Sequence, residues 1–217
     1  MDRVLVFSPH PDDVEIFLGG TFLKHLKEGS AVEVVMMTYG EKSSLVSLLG
    51  EKQKQTVKQM RIEEMRRRFQ LVPSVKVVFM GLPDRGVRQT EQTIVQALNE
   101  FERFKPSCAY LPESTAEMSY YSHLDHLETG RIAESAAARY SDKVRLRYFH
   151  SKKPNTYIDM SAFHETNLKA LHCYKSQYQW HTGLPFLLHL YDKVRTRRTR
   201  AWGQRAGSEF AEAFREK

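Results

Sequence analysis

Pro9-His10-Pro11-Asp12-Asp13 brings one imidazole and two carboxylates together within a few residues, and His123-Leu124-Asp125-His126 supplies two more imidazoles and another carboxylate. These are groups that bind a zinc ion and move protons at neutral pH. His10 and Asp13 are three residues apart. That spacing lets both point at one ion while Asp12, between them, points elsewhere. His126 would be the third ligand, and a His₂Asp set leaves one coordination position open for water. An ion there lowers the pKa of its water towards neutrality. Asp12 is then placed to take the water's proton as general base. His123 could face the other side of a substrate, to stabilise a developing oxyanion or protonate a leaving group. Asp125 could hold the His123 ring in one tautomer. The donor set suits ferrous iron as well as zinc.

The two clusters meet only if the fold carries them to one place. Val4-Leu5-Val6-Phe7 is a short apolar run that predicts a buried strand, Arg3–Ser8. It sets His10 to Asp13 at a strand's carboxyl end, where open α/β sheets bind ligands. Similar runs predict strands at Ala31–Thr38, Val75–Met80, Cys108–Leu111 and Val144–Phe149. Helices are expected between them. The first runs from near Gly19-Gly20-Thr21 to before Gly29. The second spans Glu51 to Phe69, with Ile62, Met65 and Phe69 on one face. The third has Thr90 as N-cap and stops at Lys105-Pro106. The fourth follows His126 and carries the stripe Ile132, Ala133, Ala136, Ala137, Tyr140. This alternation predicts an α/β fold, a Rossmann-like doubly wound, mostly parallel sheet in a single domain over residues 1–217. Thr156–Met160 reads as one more strand and Glu165–Tyr174 as a helix. Beyond Trp180 the pattern is weak.

Each motif taken alone has a plainer reading. His-Pro-Asp is a common turn in which Asp caps the next helix, and an isolated His-x-x-His is weak evidence for a metal. The occurrence of both at the carboxyl ends of predicted parallel strands favours the metal. Gly19-Gly20 lacks the G-x-G-x-x-G spacing of a dinucleotide site, and reads as a close approach of helix and sheet near the site. His25, His164 and His172 read as ordinary helix-face residues. No Ser, Cys and His arrangement suggests a nucleophile triad. Ser8 and Ser122 neighbour the clusters, where either could cap a turn.

At 217 residues the chain fits one domain with a substantial core. No apolar run is long enough to cross a bilayer, and the first residues lack a basic stretch followed by an apolar one. Two cysteines, Cys108 and Cys173, form no CxxC pair; a reducing cytoplasm is expected. Net charge is +7, concentrated at Arg61 to Arg68 and Lys193 to Arg205. That balance suggests an anionic partner such as a phosphate, a carboxylated sugar or nucleic acid; a solvated surface is the plainer account.

Ser8-Pro9-His10-Pro11-Asp12-Asp13-Val14-Glu15-Ile16 with Gly19-Gly20-Thr21 resembles the signature of the LmbE/PIG-L family of metal-dependent N-acetylglucosamine deacetylases, in particular the bacillithiol-pathway and chito-oligosaccharide deacetylase subgroup. Thr38 to Glu41, Arg61 to Met65, Gly81 to Asp84, His123 to His126, Lys169 to Gln177 and Gly207 to Phe214 resemble its later segments in order, so the likeness spans nearly the whole chain. The resemblance implies His10, Asp13 and His126 as zinc ligands, Asp12 as base, and His123, oriented by Asp125, as acid or oxyanion stabiliser. It also implies Arg61 as a substrate contact and Tyr121 as a group reaching the oxyanion, with Tyr120 adjacent. Leu124 replaces the family's usual proline, which loosens that turn. Phe17 and Leu18 replace small residues, and Phe17 is expected to narrow or reshape the sugar pocket. The function expected is removal of an N-acetyl group from a GlcNAc-containing, anionic substrate by metal-activated water. An amidase acting on another amide, such as a thiol conjugate, is a related alternative. A non-catalytic nucleic-acid-binding protein is one of a different class, and a homo-oligomer is left open.

Overall fold

The computed structural model describes residues 1–42, 50–115, 118, 124–141, 143–178 and 185–217. In chain order these form β1 (Arg3–Ser8), α1 (Asp13–Phe17), α2 (Gly19–Lys27), β2 (Ala31–Thr38), α3 (Glu51–Gln70), β3 (Lys76–Leu82), α4 (Glu91–Phe104) and β4 (Cys108–Pro112). Then follow α5 (Leu124–Tyr140), β5 (Arg145–Phe149), β6 (Thr156–Asp159), α6 (His164–Leu171), α7 (Lys175–Tyr178), α8 (Pro185–Ala206) and β7 (Ala211–Glu216).

The seven strands make one sheet in the order β3-β2-β1-β4-β5-β7-β6. The first five are mutually parallel. β7 runs antiparallel to both β5 and β6. The chain winds outwards from β1 through β2 to β3, then returns to β4 on the other side of β1. That reversal opens a crevice at the carboxyl ends of β1 and β4.

β1 is buried on both faces, and its residues alternate between two apolar layers. Leu5 and Phe7 pack with Phe101 of α4 and Ile132 of α5. Val4 and Val6 pack with Phe22 of α2 and Met65 and Phe69 of α3. α4 begins where expected: the Thr90 hydroxyl accepts from the Thr93 amide, and Thr93 returns a bond to the Thr90 amide. It ends at Lys105, in the left-handed conformation, before Pro106.

α3 departs from the expected apolar face. Its buried stripe is Val57, Arg61, Glu64, Met65, Arg68 and Phe69, while Ile62 is only half-buried. Arg68 Nε meets Glu15 Oε1 at 2.8 Å, both fully buried. Burial raises the Glu15 carboxyl above its usual range even against the Arg68 charge. Glu64 accepts from the amide and hydroxyl of Ser176 at 2.7 and 2.6 Å. Two of the four arginines of this run, Arg61 and Arg68, are therefore interior, while Arg66 and Arg67 are exposed. Much of the C-terminal run is also engaged: Arg195 is buried against Glu212, Arg198 donates to the Ile16 carbonyl, and Arg205 donates to the Tyr157 hydroxyl.

β7 closes the structure where sequence patterning is weak. Glu212 accepts from the amides of Gly20 and Thr21 at 3.0 and 2.7 Å, so a carboxylate caps the amino end of α2. A Cβ on Gly20 would lie 2.5 Å from the Met160 side chain. The glycine pair thus serves the approach of α2 to Met160 and α6 rather than the site itself. His25 bonds the Tyr110 hydroxyl, His164 stacks on Phe210, and His172 pairs with Asp192. Cys108 and Cys173 are both free.

Candidate metal centre

The turn after β1 is built by its own polar groups. The Ser8 hydroxyl donates to the His10 carbonyl, and Asp13 Oδ2 accepts from the His10 amide at 2.8 Å. Ser8 is thus a turn-capping residue. Asp12 is the N-cap of α1 but makes no side-chain cap bond, which removes the helix-capping account of its carboxylate. Instead Asp12 Oδ1 accepts from Arg61 Nη2 at 2.7 Å.

α5 starts at Leu124 rather than after His126, so Asp125 and His126 occupy its first turn. Leu124 stands at the start of the helix, where proline is best tolerated, and is half-exposed. The helix forms there without proline. Its start at the carboxyl side of β4 carries His126 across the crevice to the β1 turn.

His10, Asp13 and His126 converge. Asp13 Oδ2 lies 3.2 Å from His10 Nδ1 and 3.4 Å from His126 Nε2. Zinc bonds of 2.0–2.1 Å in a tetrahedron separate ligand atoms by about 3.3 Å, and both of these separations match that spacing. The other ring nitrogen of His10 faces away: Nε2 lies 3.4 Å from both Asp84 Oδ1 and Asp125 Oδ2. Two carboxylates behind a ligand histidine fix its tautomer and raise its basicity.

Asp125 is itself clamped. Its Oδ2 accepts from the Arg85 amide at 2.6 Å, and its Oδ1 accepts from the Val87 amide at 3.2 Å. Its described partners are thus His10 and the loop after β3. The expected partner His123 lies outside the described residues, as do Tyr120 and Tyr121.

The electrostatics follow from this crowding. Burial opposes charge on His10, but Asp125, Asp13 and Asp84 outweigh it and hold the ring well above its usual pKa. Burial opposes charge on Asp13, yet His126 and His10 win and hold it low. Asp84 is likewise held down to about 2 by His10 and the Lys42 amide against the effect of burial.

The donors open on a cleft of about 210 Å³ that Arg61, Asp84, Arg85 and Gln177 also line. A larger hollow of about 450 Å³ beside Trp202 holds none of this chemistry. Phe17 does not line the cleft. Its ring packs edge-on to His126 and stacks on Phe149 and His150, so it backs the candidate ligand His126 instead of narrowing the cleft. Spacing singled out neither Asp84, Arg85 nor His150 as a site residue. Asp84 was legible only as part of the Gly81 to Asp84 segment. His150 follows β5 with φ +64° and stands edge-on to His126. Burial, then the His126 charge, push its pKa down to about 4.

A largely buried His-Asp-His cluster at the switch point of a doubly wound sheet, beside an arginine-held carboxylate, is a candidate metal-ligand set of the kind a hydrolase uses. Residues 5–137 match the family described as GlcNAc-PI de-N-acetylase (PIG-L), and the chain belongs to that family of deacetylases. It is 24% identical to the diacetylchitobiose deacetylase of Thermococcus kodakarensis, over 98% of this chain and 82% of that protein. The fold is that of the N,N'-diacetylchitobiose deacetylase of Pyrococcus horikoshii, with a TM-score of 0.88 at 22% identity over 100% of this chain and 84% of that one. It is also shared with GalB, a 4-carboxy-2-hydroxymuconate hydratase of Pseudomonas putida KT2440, with a TM-score of 0.78 at 20% identity over 100% and 96% of the two chains. A fold that also hosts a hydratase leaves the reaction to be argued from the site. Among the described residues no helix is long and apolar enough to cross a membrane.

Proposed function

We propose that this chain, as one deacetylase domain over residues 1–217, removes the N-acetyl group from a GlcNAc-containing substrate, with zinc held by His10, Asp13 and His126. The observation that carries the reading is Asp13 Oδ2 at 3.2 and 3.4 Å from the two histidine rings, beside an Asp12 carboxylate fixed by Arg61. When bound, zinc supplies Lewis-acid polarisation of the amide carbonyl and lowers the pKa of water.

The side chains do the rest. Asp12, with one oxygen committed to Arg61, takes the proton of the attacking water. Asp84 and Asp125 hold His10 in register through Nε2. His123 steadies the oxyanion or protonates the departing amine, and Tyr121 is the second group assigned to the oxyanion. The water oxygen joins the acetyl carbon, the C–N bond breaks, and the sugar nitrogen leaves as the amine after gaining a proton. Ferrous iron would serve the same donors. The substrate carries negative charge in this reading, and two free thiols agree with a cytoplasmic location.

The test is metal content measured together with acetate release, on one anaerobically purified sample offered a panel of GlcNAc compounds. The expected result is about one metal per chain and acetate from at least one compound. Metal without acetate overturns the substrate reading in favour of another amide. No metal after reloading with zinc or iron overturns the mechanism.

A further inference from the structure

We propose that Arg85 is a specificity residue whose guanidinium binds an oxyanion, a carboxylate or phosphate, carried by the amino-sugar substrate. The proposal rests on the deacetylase reading with an anionic substrate and adds the residue that reads that charge.

The first observation is position. Arg85 is exposed and lines the same cleft as His10, Asp13 and His126. It follows Asp84 directly, and Asp84 faces the His10 ring.

The second is backbone conformation. Arg85 has φ +56°, in the left-handed region that favours glycine. Its amide is held at 2.6 Å by Asp125, the carboxylate that also faces His10. The residue is therefore rigidly registered to the candidate ligands. A long cationic side chain is kept where glycine would relieve strain, and such outliers cluster at ligand clamps. Among the described non-glycine residues only Lys105 and His150 share positive φ. Lys105 ends α4, and His150 stands against His126. Arg85 does neither.

The third is charge. Arg61, Arg68, Arg147, Arg195 and Arg215 each pair with a carboxylate of the protein. The Arg85 side chain makes no ion pair with a described residue, and its amide bond to Asp125 is the contact that anchors it. A planar guanidinium matches carboxylate and phosphate with two parallel bonds. A substrate whose acetamido group sits over His10, Asp13 and His126 would leave its remaining substituents near the cleft rim, where Arg85 stands.

The test uses the metal-loaded wild type, Arg85→Gly and Arg85→Lys. Glycine suits the left-handed backbone, and melting temperature checks the fold of each variant. Calorimetry compares GlcNAc 1-phosphate, a GlcNAc glycoside ending in a carboxylate, and methyl N-acetylglucosaminide. We expect wild type to favour at least one charged compound by about tenfold or more, the scale of a charge-assisted bond. That ratio should collapse in Arg85→Gly and return in part with Arg85→Lys. Loss of the ratio for the phosphate or for the carboxylate identifies which oxyanion is read. Any contact of the oxyanion with the metal is common to wild type and variants, so it does not produce a difference between them. A wild type without preference, or an Arg85→Gly protein that keeps it, overturns the proposal. Acetate release from the same compounds is scored separately. Its failure throughout would sink the deacetylase reading while the binding ratio still judged Arg85.

Discussion

Arg61 reaches Asp12 from α3, Nη2 to Oδ1 at 2.7 Å, with the arginine fully buried. The approach needs Gly40, which has φ +66° and whose Cβ, if present, would lie 2.6 Å from Arg61 Nε. One turn along α3, Glu64 holds Ser176 at the start of α7. The orientation of the candidate base thus depends on the β1 turn, the segment after β2, and α3.

Asp12→Asn removes the proton acceptor but keeps the shape and one hydrogen bond to Arg61. We expect kcat to fall by about 10²–10⁴, with metal content and melting temperature close to wild type. Full activity in this variant, measured as acetate release, would remove Asp12 from the base role.

Arg61→Met leaves Asp12 and Glu64 without the cation between them. Breaking a buried pair costs about 3–5 kcal/mol, read as a lower midpoint in urea. Arg61→Lys should recover part of that stability but less of kcat, because an ammonium cannot reproduce the guanidinium geometry. Equal recovery of both would reduce Arg61 to a counter-ion.

Asp125→Asn and Asp84→Asn change the groups behind His10 and leave the three candidate ligands in place. Each should weaken zinc about 10–100-fold, measured by competition with a chromogenic chelator. Unchanged affinity in both would mean that the Nε2 contacts do not tune the ligand.

Glu113, just after β4, is fully buried and accepts from Arg215 Nε and Nη2 at 2.7 and 2.8 Å. Burial raises its pKa, but the Arg215 bonds prevail and hold it below the ordinary 4.5. A depressed carboxyl contributes stability that is complete above its unfolded pKa and lost as pH falls through the folded value. The wild type should therefore lose stability below about pH 4.5, the ordinary value for Glu. Glu113→Gln should cost about 3 kcal/mol at pH 7 and flatten that part of the acid profile. Parallel urea midpoints against pH for the two proteins would refute it.

Local chemistry decided much of this molecule. The bounds of β1 and β2 match the expected strands residue for residue, because a strand buried on both faces is written around a run of apolar residues, here Val4 to Phe7 and Val34 to Met37. Thr90 announces α4 because a cap acts within four residues of itself. His10, Asp13 and His126 were legible as candidate ligands because zinc chemistry admits few side chains and the strand pattern set both clusters at carboxyl ends; the structure brings these three together.

Tertiary structure alone decided the rest. β7 enters the sheet antiparallel because it pairs with β5 and β6, and Glu212 caps a helix start 192 residues before it in the chain. No local pattern encodes such a partner. The buried stripe of α3 reads as surface because Arg61, Glu64 and Arg68 are matched by Asp12, Ser176 and Glu15 from other elements. Asp84 and Arg85 join the site through the β3 loop, and His150 stands behind His126 only because β5 ends beside α5. A sequence specifies which groups can bind a metal; which carboxylate faces which ring nitrogen is set by contacts between segments far apart in the chain.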